Sequence, residues 1–270
     1  MSGPVVVTGA SGFAGQALLN ELKRNGVSVI GVSRYRSPDL RYVPSYADTP
    51  APEGAVLVHL AQERNPSAPS NERAIDLCKA LAAKRWRHIV YASSAIVYGD
   101  EKAYPRRTDE PVSAAGEYAR VKIACEEIFG AAGAISLRLA NLYGPGMGTN
   151  TVIADIVRQI PGHGPLRLRD TAAVRDFLWI DDAARCLAAA CAVRVGGVFN
   201  AGSGHGSAVG EVARMALGLA GEAARPVVAE TTGARASHLV LDIESTRAAL
   251  KWSPRTDLAS GLAALLRTSR

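Results

Sequence analysis

Val5-Val6-Val7-Thr8-Gly9-Ala10-Ser11-Gly12-Phe13-Ala14-Gly15 is the stretch on which the fold of this chain turns. Three β-branched valines in a row read as a buried strand. The run stops at Thr8-Gly9, and a helical pattern starts near Gly12 with Leu18, Leu19 and Leu22 on one side. Glycines at 9, 12 and 15 therefore straddle a strand-to-helix turn. Gly9 permits the tight turn, Gly12 lets a pyrophosphate approach the backbone, and Gly15 lets the helix pack closely on the strand. The helix start offers unpaired N–H groups and a positive dipole end to phosphates. A glycine triplet alone says little, but one bracketed by strand and helix points to a dinucleotide.

Working outward, Val27 to Val32 reads as a second strand ending in Ser33-Arg34-Tyr35-Arg36. An acidic residue at this strand end would hold the adenosine ribose hydroxyls. Ser33, Arg34 and Arg36 stand there instead, and guanidinium groups suit a 2′-phosphate, which favours NADP(H), with NAD(H) as the other candidate. The competing reading of the arginines is a solvated strand end. Prolines at 38, 44, 50 and 52 leave room for a short strand near Arg41 but hardly for a crossover helix. Ala55 to Ala61 is the next strand, Asn71 to Lys84 a helix, His88 to Ala92 a strand, Glu117 to Phe129 a helix and Ala134 to Leu139 a strand. His59 sits without a second ligand at helical spacing and reads as a packed or cofactor-lining residue, not as a metal ligand. This alternation predicts an α/β, Rossmann-type doubly wound parallel sheet.

Beyond Asn141 the pattern changes. A helix over 152–160, a loop over 161–176 carrying Arg167, Arg169 and Arg175, and small later helices predict a smaller, interleaved C-terminal substrate-binding lobe. The expected division is 1–145 for the dinucleotide-binding domain, with 176–202 returning to it, and 146–175 plus 203–270 for the lobe.

Composition excludes several classes. The 270 residues are 48% hydrophobic and 21% charged, ample for a core. The formal charge of +6 comes from scattered arginines rather than a basic run, which argues against nucleic acid and fits phosphate-bearing small ligands. Cys78, Cys125, Cys186 and Cys191 show neither C-x-x-C spacing nor a disulfide-rich pattern, and read as core residues in a reducing cytoplasm. The chain enters a strand almost at once, without a signal-peptide pattern, and no apolar run approaches the roughly 18 residues a membrane span needs.

Tyr118 and Lys122 stand at i and i+4, one above the other on a helix face. A nearby ammonium stabilises tyrosinate and is expected to lower the phenol pKa, making Tyr118 a general acid or base near neutrality. Lys122 also suits the nicotinamide ribose. Ser94, at the end of a strand beside the crevice, is placed to hydrogen-bond the reacting oxygen.

With these residues in view, the chain resembles an extended short-chain dehydrogenase/reductase of the nucleotide-sugar epimerase/dehydratase branch. The matches run nearly end to end: TGASGFAG at 8–15, HLA at 59–61, SSAIVYG at 93–99, YARVK at 118–122, RLANLYGPG at 138–146, RDFLWIDDAAR at 175–185, FNAGSG at 199–204 and LKWSP at 250–254. The resemblance implies a catalytic set of Ser94, Tyr118 and Lys122. It places Gly9, Ser11, Gly12, Phe13, Gly15, Leu60 and Ala61 on the cofactor. Asn141 maps onto the family's loop asparagine, expected to touch the sugar or diphosphate. Arg175 maps onto the R-D-F arginine, expected to pair with the diphosphate. The family's asparagine at the start of the helix after the fourth strand falls within one position of Asn71.

Three departures refine the expectation. Ala95 and Ile96 occupy the positions of the acidic pair found in sugar 4,6-dehydratases and transfer no protons, so dehydration is disfavoured. The basic end of strand two differs from the acidic one usual in the 4-epimerases. The shortened chain resembles the deoxysugar reductases, whereas SSAIVYG looks like the epimerases. The reading favoured on this basis is reduction of a keto group, at C4, of a nucleotide-linked sugar by NADPH with Tyr118 as proton donor. The alternative is an NAD(P)-dependent 4-epimerase, and a remote one is a catalytically inactive NADP-sensing protein. The resemblance also implies a homodimer through the helices at 71–84 and 117–129.

Overall fold

The computed structural model describes residues 3–62, 68–231 and 236–268. Its centre is a sheet built from β1 (Val5–Thr8), β2 (Val29–Ser33), β3 (Arg41–Tyr42), β4 (Val56–His59), β5 (His88–Ser94), β6 (Ile135–Leu139) and β10 (Gly197–Ala201). The spatial order is β10-β6-β5-β4-β1-β2-β3, with every neighbouring pair parallel. The run of valines explains β1: Val5, Val6 and Val7 are fully buried, as a strand covered on both faces requires. Adjacent residues feed opposite layers, since Val5, Val7, Val56 and Val58 join one hydrophobic cluster while Val6 and Leu57 join others.

α1 (Phe13–Arg24) and α5 (Ile180–Ala192) cover one face together. Leu18, Leu19 and Leu22 bury against Ala183, Leu187 and Ala190 there. α2 (Ala68–Ala82) and α3 (Glu117–Ala131) pack side by side on the other. Residues 34–40, with Pro38 among them, cross from β2 to β3 without a helix. Chain order reverses between β1 and β4, so the carboxyl ends of these strands open a crevice at a topological switch point.

A second unit surrounds β9 (Val174–Trp179), which is parallel to β7 (Asn141–Tyr143) and β13 (His238–Leu239) and antiparallel to β11 (Gly206–Ala208). β8 (Leu166–Leu168) pairs in parallel with β12 (Val227–Ala229). α4 (Val152–Arg158), α6 (Val209–Ala220) and α8 (Leu258–Thr268) enclose a core of Ile153, Ile156, Phe177, Leu217 and Leu262. Tyr143 meets Trp179 edge-on there, with ring centres 5.3 Å apart. α7 (Glu244–Leu250) packs back on β10. The expected loop over 161–176 is thus corrected. It holds β8 and the start of β9, whose apolar residues alternate with arginines (Leu166-Arg167-Leu168, Val174-Arg175) and were masked by those charges. Among the described residues no helix is long and apolar enough to cross a membrane.

Candidate active site

The glycine turn is shaped as a cradle. Gly9 has φ +71°, and a Cβ there would stand 2.8 Å from the Ala61 amide nitrogen. A Cβ at Gly15 would collide with the Gly9 carbonyl oxygen, and one at Gly12 would reach within 3.2 Å of it. Gly12 caps α1 without any side-chain hydrogen bond, so the first-turn amides face the crevice uncapped by a side chain. Phe13 opens the helix, and Leu60 donates its amide to the Thr8 carbonyl at 3.2 Å, continuing the β1–β4 ladder. These residues fit a dinucleotide diphosphate, because side chains that would fill the space are absent.

The end of β2 is less open than expected. Ser33 is fully buried, donates to Ser11 Oγ at 3.3 Å and accepts from the Tyr35 amide at 3.0 Å. Arg34 lies over the Tyr46 ring, 5.4 Å from its centre, and lines a cavity of about 440 Å³ with Ala61, Gln62 and Leu77. Arg36 lies over Tyr42 at 4.6 Å.

Ser94, Tyr118 and Lys122 come together where β5 meets α3. Ser94 ends β5 and accepts a 3.4 Å bond from the Ile96 amide. The side chains of Ser94 and Gln62 lie beside the Tyr118 hydroxyl and favour its ionised form. Lys122 is 6% exposed and donates to the Ala92 carbonyl at 2.6 Å. Its ammonium lies 4.8 Å from the Tyr91 ring centre and 5.7 Å from that of Tyr118.

The expected lowering of the Tyr118 pKa by Lys122 is not found. Although 36% of Tyr118 is exposed, burial around the hydroxyl raises its pKa, and the opposing influences are the side chains of Ser94 and Gln62. The ammonium is instead turned toward Ala92, and burial brings its own pKa down to about 8. Gln62 was not singled out from sequence; its signal was adjacency to the HLA motif. His59 is packed, as expected: Thr8 Oγ1 lies 2.7 Å from its Nδ1, Tyr91 stacks on it, and burial lowers its pKa to about 3. No cluster of metal-ligating side chains exists among the described residues.

Beneath this trio lies a buried ion pair. Glu126 on α3 receives Arg138 of β6 through Nε at 3.0 Å and a terminal nitrogen at 2.7 Å, and the hydroxyl of Ser93 as well. Asn71, at the start of α2, donates to Glu117 of α3 at 3.1 Å.

Asn141 and Arg175 line a separate cleft of about 1150 Å³, together with Asn150, Arg158, Arg169 and Thr231. Asn141 donates to the Asp176 carbonyl at 3.2 Å. Arg175 stands on β9, not on a loop, and reaches Ser237 Oγ at 2.6 Å and Asp100 at 3.2 Å. Ser94 lies in register with Leu139, two residues before Asn141, so both sites open on the carboxyl edge of the sheet. Asp100 and Ser237 carried no readable signal, since they meet Arg175 only through the second sheet.

A switch-point crevice with a glycine cradle, an adjacent Ser–Tyr pair and a buried lysine defines a Rossmann-type dinucleotide-binding protein. More narrowly, the chain belongs to the NAD dependent epimerase/dehydratase family, whose model matches residues 5–202. It is similar to a UDP-glucose 4-epimerase of Mycolicibacterium smegmatis, with 26% identity and 96% of each chain covered. It is also similar to one of Corynebacterium glutamicum, 27% identical over 94% of this chain and 92% of that one. Among solved structures, UDP-N-acetylglucosamine 4-epimerase from Bacillus cereus is 26% identical, with a TM-score of 0.84 and coverage of 99% and 96%. MoeE5, in complex with UDP-glucuronic acid and NAD, is 27% identical with a TM-score of 0.84 over 98% of each chain.

Proposed function

We propose that this protein is a nucleotide-sugar 4-epimerase. The observation that carries the reading is the convergence of Ser94 and Tyr118 beside a buried Lys122 at the switch-point crevice. Nicotinamide, when bound, supplies the hydride chemistry at the sugar carbon. Tyr118 exchanges the proton of the C4 hydroxyl, and Ser94 holds that oxygen while its charge develops. Burial favours the protonated phenol in the free enzyme, the form that returns a proton to the keto oxygen. The opening step on a C4 hydroxyl requires the phenol to lose that proton first. Lys122 contributes positive charge beneath the phenol. Ala95 and Ile96 offer no carboxylate for the proton transfers of a dehydratase. Arg175, Asn141 and Arg169 make the 1150 Å³ cleft suited to a sugar diphosphate, and residues 146–175 and 203–270 serve as the substrate lobe around it. Epimerase relatives at both sequence and structure level support this reading over the keto reductase.

A second reading, NADPH-dependent reduction of a 4-keto sugar, draws on one observation: Arg34 at the end of β2, lining the 440 Å³ cavity where a 2′-phosphate would be met. Homodimer formation through α2 and α3 belongs to the same proposal. The test is incubation of purified protein with UDP-glucose or UDP-N-acetylglucosamine and each dinucleotide. C4 isomer formation without net cofactor consumption is the expected result. Stoichiometric NADPH loss with a 4-keto sugar favours the reductase, and failure to bind either dinucleotide overturns both.

A further inference from the structure

Cys78 on α2 and Cys125 on α3 hold their sulphur atoms 3.0 Å apart, the Cys78 thiol donating to Cys125. Both residues are 1% exposed and belong to the core between α2 and α3, at its boundary with a cavity. The pair lines the 440 Å³ cavity with Arg34, Ala61 and Gln62, which gives a small oxidant a route to its walls. A disulfide needs the sulphurs at about 2.05 Å, roughly 1 Å closer than they stand. The other two cysteines, Cys186 and Cys191, lie together on α5, and Cys191 donates to the Leu187 carbonyl.

We propose that Cys78 and Cys125 form a reversible dithiol–disulfide site beneath the crevice floor, oxidised by hydroperoxides. The surroundings divide the roles. The Cys78 hydrogen bond, the Tyr91 hydroxyl and the Lys122 charge draw the Cys125 thiol below its ordinary pKa, while the same pairing and burial push Cys78 up. Cys125 is the attacking thiolate and Cys78 the resolving thiol. The Cys125 sulphur forms an S–O bond to one peroxide oxygen and becomes a sulfenic acid, the O–O bond breaks, and the second oxygen leaves as water from hydrogen peroxide or as an alcohol from an organic hydroperoxide. Cys78 then attacks that sulphur; the S–S bond forms, the S–O bond breaks, and hydroxide leaves with the Cys78 proton as water. The two sulphurs lose two electrons and the peroxide gains them. A dithiol reverses the step by exchange.

The site bears on turnover through Lys122, three residues before Cys125, and this part rests on the proposed function. Thiolate charge at Cys125, with the Glu126 carboxylate, favours the protonated Lys122 against the burial that opposes it. A disulfide carries no such charge, so the basic limb of the activity profile moves to lower pH on oxidation.

The test treats the reduced full-length protein with hydrogen peroxide, blocks remaining thiols under denaturing conditions and maps the peptides. The expected result is loss of two of the four titratable thiols, a peptide pair joined through Cys78 and Cys125, and recovery with dithiothreitol. Cys78→Ser should abolish the cross-link and stop Cys125 at the sulfenic acid. Four intact thiols after surface methionines have oxidised, a Cys186–Cys191 link, or sulfinic acid at Cys125 without a cross-link overturns the proposal. A Cys78–Cys125 bond with an unmoved pH profile overturns the coupling to Lys122. The thiol map is read without any turnover, so failure of the epimerase reading leaves the result for the cysteine pair unaffected.

Discussion

Replacing Lys122 by methionine should cost turnover while sparing or raising stability. In the folded chain burial moves the Lys122 pKa from 10.5 to about 8. At 1.36 kcal/mol per pKa unit, the folded state bears a penalty of about 3 kcal/mol for the charged form. Against this stands the bond to the Ala92 carbonyl, whose loss costs about 1–3 kcal/mol in a buried setting. The K122M protein should therefore be between unchanged and about 2 kcal/mol more stable than the parent near pH 7.

The pH dependence gives the sharper test. Below about 8 the lysine is charged in both states and the whole penalty applies. Between about 8 and 10.5 the unfolded lysine keeps its proton while the folded one releases it, so parental stability rises with pH. The slope contributed is at most about 1.4 kcal/mol per pH unit, and above 10.5 the penalty is gone. Urea titrations of both proteins across this range, read as a difference, should show the slope in the parent alone. Turnover in K122M should fall at least about 100-fold. A variant that loses more than about 2 kcal/mol at pH 7 and keeps the parental slope would refute the reasoning, because Lys122 would then be a net contributor to stability rather than a buried charge held for chemistry.

Tyr118→Phe should lower turnover by about 10²–10⁴-fold with a stability change under about 1 kcal/mol, since a third of the side chain is exposed; steady-state kinetics and thermal melts read both. Gly15→Ala drives a methyl group into the Gly9 carbonyl and should abolish dinucleotide binding by calorimetry while costing about 1–3 kcal/mol. Asp100→Asn frees Arg175 from a half-buried carboxylate competitor and should tighten UDP binding about 2–5-fold by calorimetry; weaker binding would mean that Asp100 orients the arginine instead. Glu126→Ala leaves the guanidinium of Arg138, 5% exposed, without its counter-ion and should destabilise by about 3–5 kcal/mol in urea, whereas the paired Glu126→Leu, Arg138→Met should recover most of that.

Much of the first half was legible because backbone demands dictated it. A buried parallel strand needs continuous apolar residues, and Val5–Val7 and Val56–Val58 could serve little else. The close approaches at Gly9 and Gly15 need glycine, so the cradle showed in the residues themselves. Tyr118 and Lys122 were legible as a pair, but not the direction of the lysine. The ammonium turned to Ala92, a carbonyl thirty residues earlier, and no spacing rule sees that bond. β8 and β9 were missed because alternating arginines imitate a polar loop when the facing core, contributed by α4, α6 and α8, is unknown. Ser33 read as a ribose contact from its place at a strand end; whether the hydroxyl pointed out or in was a tertiary matter.

The buried polar groups on α3 have a common logic. Two consecutive residues of β5 are each tied to that helix, Ala92 by Lys122 and Ser93 by Glu126, and Ser94 follows beside Tyr118. Helical spacing of four puts 118, 122 and 126 on one stripe, and that stripe faces the end of the strand. Apolar side chains on that stripe would bind the helix to the sheet at least as strongly, but they tolerate sliding, because dispersion contacts have no fixed direction. Hydrogen bonds to fixed partners do not, and a phenol that must meet a sugar oxygen has to be held to within about 0.5 Å. Arg138 secures the far end of the stripe by fixing Glu126 to β6. The cost of charge at Lys122 is therefore borne where it sets the position of Tyr118 against Ser94. By the same logic, the stability recovered by the apolar double substitution Glu126→Leu, Arg138→Met should come with lower turnover, the helix having lost one of its two ties.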